Sequence, residues 1–337
     1  MTAALYGIAI GSFLNVVIWR LPRGGSISTP TWSYCPRCEH RLGGLDLIPV
    51  FSFLFLGTKC RYCKAPISWR YLSIELLTGA LFALTASYLW HMNGSGLDAV
   101  FFCLFTALLL CVFFIDLEHF VIPDGLSVLG ILLGLTHGLL THSFGDALAG
   151  MLGYAAVIYF IGLLSYVYLV AILNKRKPMG QAAGEYLREN ADDWVYVFMS
   201  SLAVIIPPLR RVVEARWGEA EPLEGYTSEE IEADEDAGGM GGGDGKLAAA
   251  IGANLGLALA LGSLGFAIFL GAFAGIIVMI RQRRHLGELI PIPFGPAMAV
   301  GALLAYFLGH PLATWYAQTF WGNVGTGTAI SSGPWGI

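Results

Sequence analysis

Long apolar runs separated by short polar segments dominate the chain. Stretches without a charged side chain occupy the ranges 1–19, 76–97, 99–115, 125–145, 147–174, 247–280 and 289–337. A helix needs about 20 apolar residues to cross the hydrocarbon core of a bilayer, with a range of roughly 17–25. The run 247–280 is long enough to form either one oversized helix or a tight helix pair. The pattern therefore predicts an all-α polytopic membrane protein.

Composition agrees with this prediction. The 337 residues are 56% hydrophobic and 13% charged, whereas soluble domains carry about a quarter charged residues. The first apolar stretch ends at Trp19 and is followed by Arg20 and Arg23, which is the reverse of a cleaved signal peptide. We therefore expect a retained first span with its N-terminus outside, the lipid bilayer as a partner, and no nucleic-acid partner.

The basic residues set the predicted orientation, because Lys and Arg near span ends mark the cytoplasmic side. Eight of the 19 lie between Arg20 and Arg70. If the run 247–280 is two helices, every Lys and Arg of the protein lies on one side. This predicts about eight transmembrane helices, with both termini outside, in the cytoplasmic (inner) membrane of a bacterium.

The predicted organisation has five parts. They are a first transmembrane helix (1–19), a cytoplasmic loop (20–70), helices two to five (71–174), a cytoplasmic insertion (175–243) and helices six to eight (244–337). Fourteen of the 24 acidic residues lie between Glu185 and Asp236. Within the insertion, we expect a disordered acidic, glycine-rich linker at 219–243. The apolar stretch 195–209 is predicted to be an interfacial helix held by Arg210 and Arg211.

Two CxxC pairs lie in the first cytoplasmic loop. They comprise Cys35, Cys38, Cys60 and Cys63. Two such pairs at this spacing are typical of a tetrahedral four-thiolate zinc site in a small zinc-ribbon-like domain. A redox function would more often use a single CxxC in a thioredoxin-like unit, so we favour structural zinc. Cys103 and Cys111 lie in an apolar run and are interpreted as core residues.

Few acidic residues lie near the predicted spans. Asp116 directly continues an apolar helix, which makes a site inside the membrane interface and a solvated helix end equally good interpretations. Asp124 follows Pro123 and suits a helix N-cap. Glu118 and His119 are predicted to be solvated, and Glu75 is predicted to be a satisfied interfacial acid or a partner of the site.

Asp244 lies in the glycine-rich segment Met240-Gly-Gly-Gly-Asp244-Gly-Lys246, directly before an apolar run. Its plainest interpretation is an N-cap between a linker and a helix. That role does not require three preceding glycines, which permit close approach of another backbone or a substrate. A Walker A loop is excluded because Met240 and Leu247 occupy positions that the motif reserves for Gly and Ser/Thr.

Two carboxylates in one partly desolvated site share a proton, so one can activate water while the other polarises a carbonyl. Asp116 and Asp244 could form such a pair. This chemistry fits an intramembrane aspartic protease, and it equally fits a proton-coupled transporter that uses the two residues as a relay. A transporter would more often show inverted repeats and acids near the bilayer midplane.

The motifs in order resemble the type IV prepilin peptidase family, the bifunctional leader peptidase/N-methyltransferases. The resemblance rests on several segments along the chain. They are Gly11-Ser-Phe-Leu-Asn15, the paired CxxC motifs, Ile67-Ser-Trp-Arg-Tyr71, Ile115-Asp116-Leu, Gly241-Gly-Gly-Asp244-Gly-Lys-Leu247 and Phe294-Gly295-Pro296. A presenilin-like protease fits less well, because Ile115 rather than tyrosine precedes Asp116.

The resemblance implies that Asp116 and Asp244 are the catalytic pair of a GxGD-type aspartic peptidase. It implies prepilin or pseudopilin substrates of a type IV pilus or type II secretion system, cut after a glycine on the cytoplasmic side. It also implies N-methylation with S-adenosylmethionine as the donor. The insertion at about 175–238 departs from typical members of the family, and its role stays open.

Overall fold

The computed structural model describes residues 2–168, 178–205, 215–216, 242–282 and 292–320. Within these ranges the chain is nearly all helical, as predicted, and contains no β-strand longer than an isolated bridge. The main helices are α1 (Thr2–Arg20), α2 (Phe51–Phe55), α3 (Trp69–His91), α4 (Gly96–His119), α5 (Asp124–Leu140), α6 (Phe144–Val167), α7 (Met179–Ile205), α8 (Gly242–Gln282) and α9 (Gly295–Phe320).

The chain divides into two compact units. The first takes its described residues from Met1–Arg20, Ser26–Cys111 and Leu303–Ile337, and the second from Leu21–Gly25 and Val112–Ala302. In the first unit, α1 packs on α3 through Gly7 and Gly11, where an added Cβ would lie 2.7 Å from the Thr78 carbonyl oxygen and 2.8 Å from the Glu75 Cα. This spacing of small residues allows two membrane helices to approach closely.

Helix starts follow local sequence signals in this unit. Ser68 caps α3 by accepting the Arg70 N–H at 3.2 Å. Ser95 and Asp98 form a reciprocal cap at the start of α4, with the Ser95 N–H donating to Asp98 at 2.8 Å and the Asp98 N–H donating to Ser95 at 3.1 Å. This cap explains why the acidic Asp98 lies in the first turn of an apolar helix.

In the second unit, α8 is interrupted at Gly256, whose φ of 72° is accessible chiefly to glycine. The direction in which α8 runs along α6 reverses at this residue. Before the interruption, Gly245 packs on Tyr159 and Gly252 packs on Gly150. After it, the Ser263 hydroxyl donates to the Tyr154 hydroxyl at 3.3 Å. The two halves of α8 therefore run along α6 in opposite senses, as a tight helix pair.

The described helices include six that are long and apolar enough to span a membrane, and α5 is a shorter apolar helix. The break in α8 at Gly256 agrees with the helix-pair alternative for the run 247–280. The total of about eight transmembrane helices stays a prediction.

The insertion contains α7, which extends over Met179–Ile205 and so begins well before the apolar stretch predicted as an interfacial helix. Arg210 and Arg211 lie outside the described residues, as does nearly all of the predicted acidic linker. The described part of the insertion is therefore an ordered helix, and it contacts α6 and α8.

Candidate active site and metal centre

Asp116 is buried at the end of α4. Asp116 directly follows the fully buried Ile115 in the sequence and is itself only 4% exposed. Its carboxylate accepts the backbone N–H of Gly295, at the start of α9, at 2.9 Å. A Cβ at position 295 would lie 2.5 Å from the Asp116 Oδ2 atom. The interior alternative for Asp116 is therefore confirmed over the solvated one, and Gly295 is small because the carboxylate occupies the space.

Asp244 lies in the first turn of α8. The helix begins at Gly242, so Asp244 is inside it and is not the N-cap residue that the plainest interpretation made it. Its residue is 9% exposed. The next residue, Gly245, packs directly on the Tyr159 ring and leaves no room for a side chain. The Tyr159 hydroxyl donates to the Gly242 carbonyl at 3.3 Å, which fixes this turn against α6.

Ile122 connects the surroundings of the two aspartates. A Cβ at Gly295, whose N–H binds Asp116, would lie 3.2 Å from Ile122 Cδ1. A Cβ at Gly243, next to Asp244, would lie 3.2 Å from Ile122 Cβ. Ile122 therefore lies beside Gly295, which binds Asp116, and beside Gly243, which precedes Asp244.

Asp124 does not cap α5, contrary to the interpretation from the sequence. Pro123 occupies the N-cap position, and Asp124 is the first helical residue. Its Oδ1 atom accepts from the Lys246 ammonium at 2.8 Å. The Asp124 carboxylate therefore makes a charge-assisted hydrogen bond to a buried lysine.

Lys246 is the centre of a charge network that the sequence did not reveal. Its side chain is 4% exposed, and its Nζ atom lies 2.8 Å from Asp124 and 2.7 Å from Asp193 of α7. In the sequence, Lys246 served only as a marker of the cytoplasmic side. Asp193 is one of many acids in the insertion, so no local signal distinguished it.

The remaining acidic and cysteine candidates have simpler roles. Glu75 is buried and accepts the Val50 N–H at 2.8 Å, which makes it the satisfied acid that was predicted. Glu118 is exposed and His119 is half-buried. Cys111 is buried and Cys103 is half-buried.

The two CxxC pairs form matching turns. In the first, the Cys35 N–H donates to the His40 carbonyl at 3.0 Å; in the second, the Cys60 N–H donates to the Ala65 carbonyl at 2.8 Å. Each turn passes through a residue with positive φ, Glu39 or Lys64. The local sequence thus builds two equivalent knuckles.

The knuckles bring the four sulfur atoms within 4.8 Å of one another. Cys35 Sγ and Cys63 Sγ are 3.9 Å apart, and a tetrahedral ion bonded to four sulfurs at about 2.3 Å would place them about 3.8 Å apart. The hydrogen bond from the Cys63 N–H is the main factor that lowers the pKa of the Cys60 thiol to about 7. The His40 N–H would lower the pKa of Cys38, but burial and the neighbouring thiols together raise it to about 11. Crowded thiols of this kind lose their protons together when a divalent cation binds.

Asp46 braces the second knuckle. It accepts from Arg61 Nε at 2.6 Å and from the Tyr62 hydroxyl at 3.2 Å. Burial alone would raise the pKa of Asp46, but hydrogen bonds from the Gly43 N–H and from Arg61 lower it below its usual value.

Comparisons with known proteins find two family matches along the chain. A family model described as the bacterial peptidase A24 N-terminal domain matches residues 5–89, and one described as the type IV leader peptidase family matches residues 189–278. Asp244 and Lys246 lie in the second match, and Asp116 lies between the two.

Three relatives, each described as a prepilin leader peptidase/N-methyltransferase, match nearly the whole chain. The protein of Aeromonas salmonicida is 31% identical, over 94% of this chain and 92% of its own length. That of Aeromonas hydrophila is 29% identical, over 94% and 93%, and that of Bacillus subtilis is 27% identical, over 93% and 96%. No solved structure matches the chain significantly. The four-cysteine cluster, the buried aspartates and the full-length similarity together show that the chain belongs to the type IV leader peptidase family.

Proposed function

We propose that this protein is an intramembrane aspartic endopeptidase that removes the leader peptide of type IV prepilins or pseudopilins. Asp116 and Asp244 are the proposed catalytic residues. The observation that carries this assignment is that both aspartates are buried and that the glycine beside each one faces the same Ile122 side chain. Gly295 donates its N–H to Asp116, and Gly243 directly precedes Asp244. The relatives' shared name supplies the substrate class.

The two carboxyl groups would act as a general base and a general acid. The ionised group takes a proton from water as the water oxygen bonds to the scissile carbonyl carbon, and the protonated group gives its proton to the carbonyl oxygen. The amide nitrogen then takes the proton held by the first group, and the carbon–nitrogen bond breaks. The intermediate hydroxyl returns its proton to the second group, which restores the starting state.

The proposed orientation places this chemistry at the cytoplasmic face, with both termini outside. In the sequence, Lys246 and Arg281 flank the apolar run of α8, and eight of the 19 Lys and Arg residues lie between Arg20 and Arg70. The positive-inside rule assigns such segments to the cytoplasmic side. A prepilin presents a basic leader at that face and an apolar segment in the bilayer, so its scissile bond would reach the depth of the two aspartates.

Zinc is the proposed occupant of the four-cysteine cluster. The sulfur spacing and the paired knuckles fit a tetrahedral ion. Bound zinc would cross-link Cys35 and Cys38 to Cys60 and Cys63 and would leave no open position for a reacting water. Its proposed role is therefore to fold the loop.

N-methylation of the new N-terminus is the proposed second activity, since the relatives are named for it. S-adenosylmethionine would supply a methyl group on its sulfonium. A cavity of about 300 Å³ lined by Ile161, Leu264, Ile268, Gly271, Ala272, Ile292 and Phe294 is apolar and does not fit this polar cosubstrate. The proton-coupled transporter is not favoured by the family membership.

Mass spectrometry of a co-expressed prepilin tests the proposal, because one spectrum of its N-terminus reports cleavage and methylation. We expect Asp116→Asn and Asp244→Asn to leave the leader attached, with a rate loss of about a hundredfold to ten-thousandfold. Glu118→Gln is the matched control, since Glu118 is exposed on the same helix as Asp116. Normal processing by either aspartate variant would contradict the assignment of that residue.

A further inference from the structure

Helix α7 of the insertion places the carboxylate of Asp193 beside the glycine-rich turn that carries Asp244. Asp193 Oδ2 lies 2.7 Å from Lys246 Nζ, and Lys246 is two residues beyond Asp244. The Lys246 side chain is 4% exposed, whereas those of Asp124 and Asp193 are 37% and 41% exposed. The ammonium is thus buried and its two partners reach it from the surface.

Other contacts place α7 against the same turn. A Cβ at Gly242 would lie 2.9 Å from Asp193 Oδ2 and 3.2 Å from Asn190 Oδ1. The ring of Trp194 packs edge-on against Tyr159, the residue that binds the Gly242 carbonyl. The Asn190 and Trp194 contacts involve residues outside the ion pair and come from positions of α7 next to Asp193.

Tyr186 of α7 also packs against α6. The ring of Tyr186 is 5.6 Å from that of Tyr166. Burial, and to a smaller degree the negative charge of Asp244, raises the pKa of Tyr186. Asn190, Asp193 and Trp194 of α7 therefore lie against the turn that carries Asp244 or against its partner Tyr159.

A buried lysine needs compensation for its charge, and the two carboxylates provide it from two different helices. Lys has a flexible four-carbon stem with three rotatable donors. With Asp124 as its single partner, the Lys246 ammonium would still rotate about its side-chain bonds. A second partner, Asp193 on α7, fixes its position. Because Lys246 is part of the first turn of α8, fixing it also fixes the backbone that carries Asp244.

We propose that Asp193 is a positioning residue for prepilin cleavage, which holds Lys246 and thereby orients the turn that carries Asp244. This inference rests on the proposed function and gives the insertion a role within it: α7 is part of the support of the active site. Asp193 touches neither water nor substrate in this scheme and acts only through Lys246.

Steady-state kinetics of the full chain in detergent, with a purified prepilin, tests the proposal. Displacing a catalytic group by about 1 Å can cost about a hundredfold in rate. We expect Asp193→Asn to lower kcat about tenfold to a hundredfold while KM stays within about twofold. Asp193→Glu keeps the charge and should recover part of this loss. Asp192→Asn is the matched control, because Asp192 is the neighbouring acid and pairs with Arg216 at 3.6 Å; its kcat should stay close to that of the wild type.

A double-variant comparison separates positioning from general stability. If Asp193 acts through Lys246, adding Asp193→Asn to Lys246→Met should cause no further loss of kcat. The double variant also leaves no unpaired lysine, so it carries the test if Asp193→Asn alone does not accumulate in membranes. A further tenfold loss in the double variant would overturn the proposal, as would a wild-type kcat for Asp193→Asn, an equal loss for Asp192→Asn, or an Asp193→Glu variant no better than Asp193→Asn.

Cleavage assays of the wild type and of Asp244→Asn test the proposed function independently of the role of Asp193. Cleavage by the wild type and none by Asp244→Asn support that function, whatever Asp193 does. A wild type that leaves prepilin intact would overturn both proposals together.

Discussion

In the cysteine loop, all four candidate ligands lie between Cys35 and Cys63, and each knuckle closes on itself through bonds between near neighbours. At the aspartate site, the groups come from distant segments: Asp116 from α4, Gly295 from α9, Asp244 and Lys246 from α8, and Asp193 from α7. The first site needs only the chain around it, whereas the second exists only after several membrane helices have packed. Short-range motifs thus reveal metal sites well and reveal assembled active sites only in part.

The largest expected effect tests whether the two sites are independent. Asp244→Asn removes a proposed catalytic group but no contact of the knuckles. We expect it to abolish prepilin cleavage and to keep about one zinc per chain, measured by elemental analysis of purified protein. Loss of zinc in this variant would show that the two regions are not built separately.

The reverse change comes next. Replacing Cys35, Cys38, Cys60 and Cys63 with serine should remove the bound metal, because hydroxyl groups are poor ligands for zinc compared with thiolates. The matched control is the double Ser variant of Cys103 and Cys111, which lie in α4 and should leave the metal content unchanged. Retention of about one zinc by the four-serine variant would reject the metal site.

A moderate effect is expected from Lys246→Met. The substitution leaves Asp124 and Asp193 facing a buried apolar side chain. Breaking a fully buried ion pair costs about 3–5 kcal/mol, and the partial exposure of both carboxylates reduces our expectation to about 1–2 kcal/mol. Thermal unfolding in detergent measures it, with the exposed Arg281→Met on the same helix as the control. An unchanged melting temperature would contradict the proposed importance of this network.

The smallest effect is expected from Asp46→Asn. The Arg61 partner is 46% exposed, and an exposed ion pair contributes about 0.2–1 kcal/mol. We therefore expect zinc affinity, measured by competition with a chelator, to fall less than about fivefold. Glu39→Gln, at an exposed position of the other knuckle, serves as the control. A loss of a hundredfold would mean that Asp46 supports the metal directly and that the cysteine loop is less self-contained than its contacts indicate.

Several features of this protein followed from the sequence because they depend on residues close together in the chain. Hydropathy determined that this is a helical membrane protein. An apolar run of span length must satisfy its backbone hydrogen bonds within the bilayer, and a helix does so within one segment. The spacing of Cys35, Cys38, Cys60 and Cys63 determined the cluster, because two CxxC turns bring their sulfurs together locally. The placement of Lys and Arg favoured two helices in the run 247–280, and the break at Gly256 agrees with this.

The tertiary structure alone decided how distant residues meet. It placed Asp116 inside the protein, with Gly295 as its donor, when the sequence allowed a solvated helix end equally well. It showed that Asp124 forms an ion pair with Lys246 and does not cap a helix. It also showed that Asp193, one of many acids in the insertion, pairs with the same lysine. The physical reason is that burial and charge pairing depend on which helices pack together, and that packing is fixed by close approaches such as Gly245 on Tyr159 that no local pattern encodes.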